Sequence, residues 1–559
     1  MITTLLAATT ASSGASKGIP IPSIRYLSIL PPIIMIGGAV VLLAVASLVR
    51  RPLRVRVSTI GSVIISGGAF GISIWQWYDV RAHGAHTYIK HAVVMDGFSV
   101  LITMLIAASM LLTALVADGY LKQEGITGAE FHVLALLSAS GAMLMGSAND
   151  LIIIFLGLEI LSIALYVLTA FNHHRAASGE AALKYFILGG FSSAIFVYGI
   201  ALTYGATGST NLTQIADFLS KNVVLTNGIL LAGLALMLVG FAFKVAAVPF
   251  HMWTPDVYEG APTPITGFMA AVAKAGAFAA LLRVLFSSLG TITTDWKPII
   301  YGLAVLSLLV GSVVALRQRD VKRMLAYSSI NHAGFILLGV ESATSRGVSA
   351  SLYYLVAYMF MTIGSFAIVT VLGRKGDGDH DLTRYRGLAQ RQPLLALSFA
   401  ILLLAQAGAP FTIGLWAKLQ VVLAAVSGGS VPLAVIAMVT AAIAAFFYLR
   451  VAVLMYASSA PGEGGDGAAA PSKRTDGGAQ IAWASPDGVS GTITTLNAEL
   501  LMTDAAVPST GEETPSVVRV PFLTSVAIGI CVTVTVLFGI VPAPLLDFAN
   551  HATLLFLGH

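Results

Sequence analysis

The chain has 559 residues, of which 57% are hydrophobic and only 10% are charged, and its mean hydropathy is +0.87. A soluble protein carries about 25% charged residues, so this composition excludes an ordinary soluble domain and predicts a membrane protein. The net charge of +5 at pH 7 does not indicate nucleic acid, because the basic residues lie in short loops between apolar runs and not on one contiguous face.

The single cysteine and the first residues of the chain argue against several kinds of site and against a signal peptide. Cys531 lies in an apolar stretch, so the sequence offers no disulfide framework, no cysteine-ligated iron-sulfur cluster and no thiolate zinc site. The segment MITTLLAATTASSGAS has no basic residue before Lys17, where a signal peptide would need one. We therefore expect no cleavage, and we expect any redox chemistry linked to this chain to take place in another protein.

Apolar runs long enough to cross a bilayer, which takes about 20 residues, recur along the chain. We predict an all-α polytopic membrane protein with about fourteen transmembrane helices. The predicted spans lie near 28–49, 57–77, 96–117, 130–147, 150–171, 181–205, 225–250, 263–289, 297–316, 323–341, 347–373, 392–427, 430–456 and 520–548.

The basic residues set the predicted orientation of these spans. With the N-terminus outside, 19 of them fall in cytoplasmic segments and 7 in outer segments, so both termini are predicted to face outward. The remaining five lie inside predicted spans and are Lys184, Lys244, Lys274, Arg283 and Lys418.

Two apolar segments are interrupted by proline at related places. FKVAAVPF and AGAPFTIGLWAK fall in the seventh and twelfth spans, and an odd offset of five spans reverses the direction of crossing. We predict two inverted five-helix repeats, spans 4–8 and 9–13, with helices 7 and 12 broken. Paired breaks of this kind indicate a transport site where the two repeats meet.

The chain therefore divides into five predicted regions. Residues 1–129 form an N-terminal extension with spans 1–3, 130–289 form the first five-helix repeat, and 290–456 form the second. Residues 457–519 are rich in Gly, Ala, Ser and Pro and lack a long apolar run, which predicts a flexible cytoplasmic linker. Residues 520–559 carry the last span.

Glu159 is an acidic residue deep inside a predicted span. It lies nine residues after Asp150 and twelve before Phe171, too far to reach either surface easily. Ser162 and Tyr166 follow on the same helix face and make a polar stripe suited to water or protons. A protonated or structurally paired carboxylate is the alternative, but ionisable residues at this depth usually mark a pathway.

The basic residues inside the spans differ in depth. Lys274 is near the middle of the eighth span, which disfavours a purely structural role. Lys418 and Lys244 each lie beside a proline break, although Lys244 is also compatible with a side chain that reaches the surface. Lys184, close behind an acidic residue, is more compatible still with the surface. Arg283, near the outer end of its helix, is expected to reach it.

A second polar stripe lies in RMLAYSSINHAGFILLG. It places Tyr327 with Asn331, and Ser328 with His332, at helical i, i+4 spacing. Histidine is the side chain that ordinarily changes its charge near neutral pH. A packing role and a proton-relay role are both compatible with this pattern.

The stretch KVAAVPFHMWTPDVYEGAPTP, with RDVKRMLAYSSINHAG, resembles the N-type antiporter-like membrane subunits of bacterial NADH-quinone oxidoreductase, respiratory complex I. These belong to a wider group that includes Mrp-type cation/proton antiporters. The resemblance covers roughly residues 90–455 and the last span. Sister M- and L-type subunits usually have PLHxWLPxA in the first stretch and a histidine at the position of Lys274, and M-type subunits usually have a glutamate at the position of Lys418. The N-type is therefore favoured, although AGAPFTIGLW departs from the commoner AGIPPxxGF and the linker is long.

The resemblance implies a proton path and names its residues. Glu159 would pair with Lys244, Lys274 would be the central relay, Lys418 would act near the exit, and Lys184 would lie near the start. The implied location is the bacterial cell (inner) membrane.

The resemblance also implies partners. The chain would contact lipid, protons and the M-type and K-type membrane subunits, and no nucleic acid. It would hold no cofactor, while NADH, FMN, iron-sulfur clusters and quinone would be bound by other subunits. The sequence has no GxxxxGK[ST] loop and no GxGxxG opening a βαβ unit, so the energy must come from a partner. A stand-alone or Mrp-type antiporter and a scaffold subunit that keeps its charges for assembly remain the alternatives.

Overall fold

The computed structural model describes residues 26–222, 228–373, 375–378, 380–457, 519–552 and 554. These residues are mostly helical, with one short antiparallel hairpin. The predicted linker falls almost wholly on residues 458–518, outside the described residues, so it stays a prediction.

The α-helices of the described residues are, in chain order, α1 Leu30–Leu48, α2 Arg51–His83, α3 Gly97–Glu124, α4 Glu130–Ser147, α5 Leu151–Thr169, α6 Ala176–Thr207, α7 Leu212–Lys221, α8 Gly228–Val245, α9 Trp253–Gly260, α10 Thr263–Phe268, α11 Lys274–Arg283, α12 Thr293–Ala315, α13 Val321–Glu341, α14 Ser345–Leu372, α15 Leu388–Arg391, α16 Pro393–Ala407, α17 Ile413–Ser427, α18 Val431–Tyr456, α19 Phe522–Ile540 and α20 Ala543–His551. The hairpin consists of β1 His86–Tyr88 and β2 Val93–Met95, with Tyr88 opposite Val93.

The prediction of an all-α membrane protein is confirmed. Among the described residues, 11 helices are long and apolar enough to cross a membrane. They coincide with predicted spans, and the three predicted spans not among them fall on α4, on α13 and on the pair of short apolar helices α16 and α17. The number of crossings and the inverted repeats stay predictions.

The centre of the bundle is the continuous helical segment Thr263–Ser288, whose apolar window is 100% buried. It consists of α10, a π-helical turn at Met269–Ala273, α11, and a second π-helical turn at Val284–Ser288. α3, α4, α8 and α14 pack around it. By contrast, α1, α2, α6 and α19 leave about two thirds of their apolar windows uncovered, as expected of helices that face lipid.

Both predicted helix breaks are present. α8 ends at Val245, and Ala246 follows in the left-handed region with φ +61°, so the backbone turns before Pro249 is reached. The Ser307 hydroxyl of α12 accepts a hydrogen bond from the Val248 amide, 2.9 Å away, and so satisfies a donor that the turn frees.

The twelfth predicted span is divided into α16 and α17. α16 ends at Ala407. Gly408 follows with φ +93°, and the amide of Ala409 donates back to the Leu404 carbonyl at 2.9 Å. This is the usual geometry for a helix end at glycine, where a side chain would be strained. The connecting residues then lead directly into the helix that carries Lys418.

Candidate functional site

Lys244 lies in the last turn of α8 and is buried, with 4% of its surface exposed. Its ammonium donates hydrogen bonds to the Ser162 hydroxyl at 2.7 Å and to the Tyr185 hydroxyl at 3.3 Å. The nitrogen also lies 5.7 Å from the centre of the Tyr166 ring and 5.2 Å from that of Tyr185. The sequence did not decide whether Lys244 reaches the surface, and the structure shows that it does not.

Glu159 and Lys244 are not in direct contact in this structure, and their pairing stays a prediction. Among the described residues, the ion pairs within 4.0 Å do not include this one, and Glu159 Oε1 is buried without a hydrogen-bond partner. The Lys244 ammonium is held one helical turn further along α5, by Ser162. Glu159 still attracts the ammonium through space. The polar stripe of Glu159, Ser162 and Tyr166 is therefore present, but its serine makes the direct contact.

Lys274 begins α11, directly after the first π-helical turn, and is 3% exposed. Its ammonium donates to the Ser329 hydroxyl at 2.6 Å and to the Ser329 carbonyl. Two tyrosines complete the site. Tyr358 donates to the Ser329 hydroxyl at 2.8 Å and lies under the ammonium, 4.9 Å from ring centre to nitrogen. The Tyr258 hydroxyl lies 3.3 Å from the same serine.

His332 lies on α13, one turn beyond Ser329, and is fully enclosed. Its Nδ1 is 2.7 Å from the Tyr354 hydroxyl, and its Nε2 is 3.1 Å from the Tyr448 hydroxyl. The His332 and Tyr358 rings are 5.1 Å apart, which brings the histidine beside the Lys274 site.

A hydrogen-bonded series continues from His332 toward the break between α16 and α17. Tyr448 contacts the Ser328 hydroxyl, which donates to Gln406 Oε1 at 3.2 Å. The residue after Gln406 is Ala407, whose carbonyl accepts a hydrogen bond from the Lys418 ammonium at 2.8 Å. Lys418 also lies over the Phe335 ring at 5.0 Å. The hydrogen-bonded series therefore runs from His332 to Gln406, on the side of the break where Lys418 lies, and it meets the Lys274 site through the ring contact between His332 and Tyr358.

The Lys244 and Lys274 sites are joined by aromatic rings. Tyr185, which contacts the Lys244 ammonium, stacks on Trp253 with the ring centres 4.6 Å apart. Trp253 in turn meets the edge of Tyr258, at 6.3 Å, and Tyr258 reaches Ser329. Both rings belong to α9, the helix formed by the WTPDVYEG stretch. The Lys244 and Lys274 sites are therefore linked through Trp253 and Tyr258 of the helix that follows the break after α8.

Two predicted residues lie outside this series. Tyr327 is half-buried and takes no part in the hydrogen bonds of Lys274 or in those that join His332 to Gln406. Lys184 is 43% exposed and lies between two carboxylates, 2.7 Å from Asp256 and 2.8 Å from Glu180.

Asp256 also joins Lys184 to the start of α13. It accepts a hydrogen bond from Arg323 at 3.0 Å, and Arg323 reaches Glu259 at 2.6 Å. Partial burial acts to raise the pKa of Asp256, but the Lys184 and Arg323 cations outweigh it and hold that pKa below its usual range. This charged cluster lies at the predicted cytoplasmic end.

The expectation for Arg283 is wrong. Its side chain is 0% exposed and makes two hydrogen bonds to the carboxylate of Asp96, at 2.9 and 3.0 Å. It also donates to the Gly146 carbonyl at 3.0 and 3.1 Å. Asp96 caps the start of α3, so the pair fastens α3, α4 and α11 together. The position of Arg283 near a helix end predicted an exposed side chain, because the sequence does not show that Asp96 lies beside it.

Sequence analysis missed the neutral groups that hold the lysines. Ser329 contacts Lys274, Tyr185 contacts Lys244, and Gln406 lies beside the carbonyl that holds Lys418. Ser329 stands next to Ser328 in the stretch already singled out, so the pair of serines was a usable signal. Tyr185 follows Lys184 directly, but nothing in its spacing points across to α8.

Comparison with known proteins now places the chain. Residues 148–444, more than half of it, match the family model described as "NADH:quinone oxidoreductase/Mrp antiporter, TM". The chain belongs to this family. The match spans Glu159, Lys244, Lys274 and Lys418 and ends before the predicted linker.

Members of the family are similar over nearly the whole chain. NADH-quinone oxidoreductase subunit N of Acidothermus cellulolyticus is 39% identical, with 96% of this chain and 97% of that protein aligned. The subunit N of Trichlorobacter lovleyi is 45% identical over 66% of this chain and 76% of its own length.

A solved structure supports the same fold. A chain of respiratory complex I from Thermus thermophilus with bound aureothin has a TM-score of 0.70 at 28% identity, covering 92% of this chain and 98% of that chain. A chain of the Mrp complex from Dietzia reaches 0.75 at 20% identity, covering 94% of this chain and 96% of that one. At that identity the likeness concerns the fold alone.

Proposed function

We propose that this chain is the proton-translocating subunit N of a bacterial NADH-quinone oxidoreductase, and that Lys244, Lys274 and Lys418 carry the protons. The observation that carries the proposal is the Lys274 site. A lysine at the centre of the bundle is held by a serine that two tyrosines contact, and hydroxyl and imidazole groups lead on to Gln406, next to the carbonyl that holds Lys418. Such groups both donate and accept hydrogen bonds, which a proton relay needs.

Lys244 and Glu159 act as a switch at the start of the relay. Two opposite charges about 4 Å apart attract by about 4 kcal/mol at an effective dielectric near 20. When Lys244 is beside Glu159, that attraction favours the charged amine. When the ammonium moves to Ser162, as here, the attraction weakens and the amine can pass its proton on.

Lys274 receives the proton and Lys418 governs its release. Transfer against the membrane potential costs about 2.3 kcal/mol for each charge per 100 mV. This energy comes from electron transfer in other subunits, which would hold NADH, FMN, iron-sulfur clusters and quinone. M-type and K-type membrane subunits are the neighbours that we propose. Redox energy alters the Glu159–Lys244 distance, and the chain itself performs no redox step.

The first test replaces the central relay and the switch. We expect Lys274→Met and Glu159→Gln to abolish proton pumping by purified oxidoreductase in vesicles, while the complex still assembles and oxidises NADH in the presence of an uncoupler. Lys221→Met is the matched control, because Lys221 is 69% exposed and paired with Asp217 at 2.7 Å. Normal pumping in both relay variants would overturn the assignment.

The alternative function, a stand-alone or Mrp-type antiporter, gives a different result in the same vesicles. Subunit N supports pumping that NADH drives and that rotenone-type inhibitors stop. An antiporter would exchange protons for sodium without NADH. Co-purification with NADH:quinone reductase activity separates the two functions before any variant is made.

A further inference from the structure

A second acidic residue is buried at the other end of the relay. Glu341 is the last residue of α13, the helix that carries Ser328, Ser329 and His332, and it is 1% exposed. The carbonyl end of a helix disfavours negative charge. Burial disfavours it further. A carboxylate at this place therefore needs an explanation other than helix stability.

The surroundings of Glu341 satisfy only one of its oxygens. Oε1 accepts a hydrogen bond from the Ser430 hydroxyl at 2.6 Å and lies 3.8 Å from the Lys297 ammonium. Lys297 itself donates to the Gly428 carbonyl at 2.9 Å. Oε2 is buried and has no hydrogen-bond partner within the part of the chain that the structure describes.

One other carboxylate also has a buried oxygen without a hydrogen-bond partner. Across the described residues, the buried carboxylate oxygens without a hydrogen-bond partner belong to Glu159 and Glu341. Glu159 lies at the start of the proposed relay. Glu341 lies at the predicted outer end, about 14 Å along α13 from His332 at 1.5 Å per residue. These two carboxylates therefore stand at the two ends of the proposed relay through Lys244, Lys274 and Lys418.

We propose that Glu341 is the proton-release residue of this chain. The Lys418 ammonium loses a proton, the Glu341 carboxylate becomes a carboxylic acid, and the acid then gives the proton to water on the predicted outer side. The path from Lys418 follows α17, whose end at Ser427 adjoins Gly428 beside Lys297. It is about 15 Å long, so water must complete it.

Lys297 gives the release step its direction. Its side chain is 31% exposed, so it joins the buried carboxylate to the surface. Among the described residues it is the charged group that acts on Glu341, while Ser430 contributes a neutral hydroxyl. The cation favours the carboxylate over the acid, which promotes loss of the proton and opposes its return.

The inference rests on the proposed function, and one experiment tests both separately. The intact oxidoreductase carrying each variant is reconstituted in vesicles, NADH is added outside, and the pH of the interior is set by trapped buffer. We expect Glu341→Gln to lower pumping to the level of Lys274→Met without changing assembly or uncoupled NADH oxidation. Glu341→Asp, which keeps a titrating group, should retain more than half of the pumping. Asp295→Asn is the matched control, because Asp295 is an exposed acid two residues from Lys297.

Lys297→Gln adds a readout that a structural role would not move. Without the cation, Glu341 holds its proton more tightly, so half-maximal pumping should require a higher interior pH. If Lys274→Met abolishes pumping while Glu341→Gln pumps normally, release through Glu341 is wrong and the relay stands. If Lys274→Met itself pumps normally, the proposed function fails. Equal losses of assembly and pumping in Glu341→Gln and Glu341→Asp, with no pH shift in Lys297→Gln, would make Glu341 a structural residue and overturn the inference.

Discussion

Lys274 and Arg283 are the first and last residues of the same fully buried helix, yet their surroundings differ. Arg283 is paired with the Asp96 carboxylate through two hydrogen bonds. Lys274 is held by a hydroxyl and a carbonyl of Ser329, and among the described residues it has no carboxylate within 4.0 Å. A guanidinium stays protonated in proteins, whereas an amine can lose its proton. The comparison separates a charge that fastens helices from one that can be given up.

The same distinction extends to two further buried lysines. Lys244 and Lys418 are also held by neutral oxygen atoms and aromatic rings. A cation above a ring gains about 0.5–2 kcal/mol. That attraction is weaker than the attraction within a buried ion pair. It lowers the free-energy cost of burying the ammonium but does not hold the lysine permanently in its protonated form. The lysines are therefore suited to exchange protons, and Arg283 is suited to hold α3, α4 and α11 in place.

The largest expected effect comes from breaking the fixed pair. Arg283→Met leaves the Asp96 carboxylate buried without its cation, which costs about 3–5 kcal/mol. We expect the complex to assemble poorly and to lose thermal stability in detergent, measured by native gel and by thermal unfolding. Lys274→Met removes a cation from the same helix but strands no carboxylate, so its assembly should be close to normal.

A double variant checks that explanation. Asp96→Asn in the Arg283→Met background removes the stranded charge and keeps a side-chain oxygen for the Ser99 amide that Asp96 caps. Assembly should recover in part. Equal assembly defects in Lys274→Met and Arg283→Met would contradict the distinction between paired and unpaired cations.

An intermediate effect is expected from the hydroxyl that joins His332 to Ser328. Tyr448→Phe removes that hydroxyl and leaves its buried partners unsatisfied, at a cost of about 1–3 kcal/mol. If the same amount is added to the transfer barrier, pumping falls about 5- to 150-fold. The measurement is the initial rate of NADH-driven acidification in vesicles.

Tyr353→Phe provides the matched control for that variant. Tyr353 is equally buried, on α14, and its hydroxyl has no hydrogen-bond partner among the described residues. Its loss should leave pumping unchanged. If both tyrosine variants pump at the wild-type rate, the hydroxyl series is not the route and protons pass Lys274 by water alone.

Much of the fold could be predicted from the sequence, because apolar length and proline position act locally. The helix breaks beside Lys244 and Lys418 follow from residues within a few positions of each lysine. The depth of Lys274 followed from its distance to the ends of one apolar run. These features depend on the chain immediately around them, so no knowledge of packing was needed.

The partners of the charges could not be predicted in the same way. Asp96 and Arg283 are 187 residues apart, and Lys244 and Ser162 are 82 apart. Which of Glu159 and Ser162, one turn apart on α5, holds the ammonium depends on how α5 and α8 are rotated against each other. Spacing along one helix limits the choice to a face but does not select the residue on it.

The smallest effect is expected at Lys184, the one proposed relay lysine that is both exposed and paired with carboxylates. Water can replace its contacts, and surface substitutions usually change free energies little, so Lys184→Gln should alter pumping by about twofold or less. Raised salt should weaken the ion pairs of Lys184 in the wild-type protein, because salt screens the attraction between exposed charges. Its effect on pumping should be as small as that of the substitution.

The pH dependence follows from Asp256. Burial acts to raise the pKa of Asp256, but the Lys184 and Arg323 cations lower it below its usual range. The stabilisation that these ion pairs give the folded protein is therefore complete above the ordinary aspartate pKa of about 3.9. It is lost only as the pH falls below that value. Pumping by Lys184→Gln relative to wild type should therefore be constant between about pH 6 and 8. A loss as large as that of Lys274→Met would instead mean that Lys184 carries protons despite its carboxylate partners. Pairing would then not distinguish fixed cations from mobile ones.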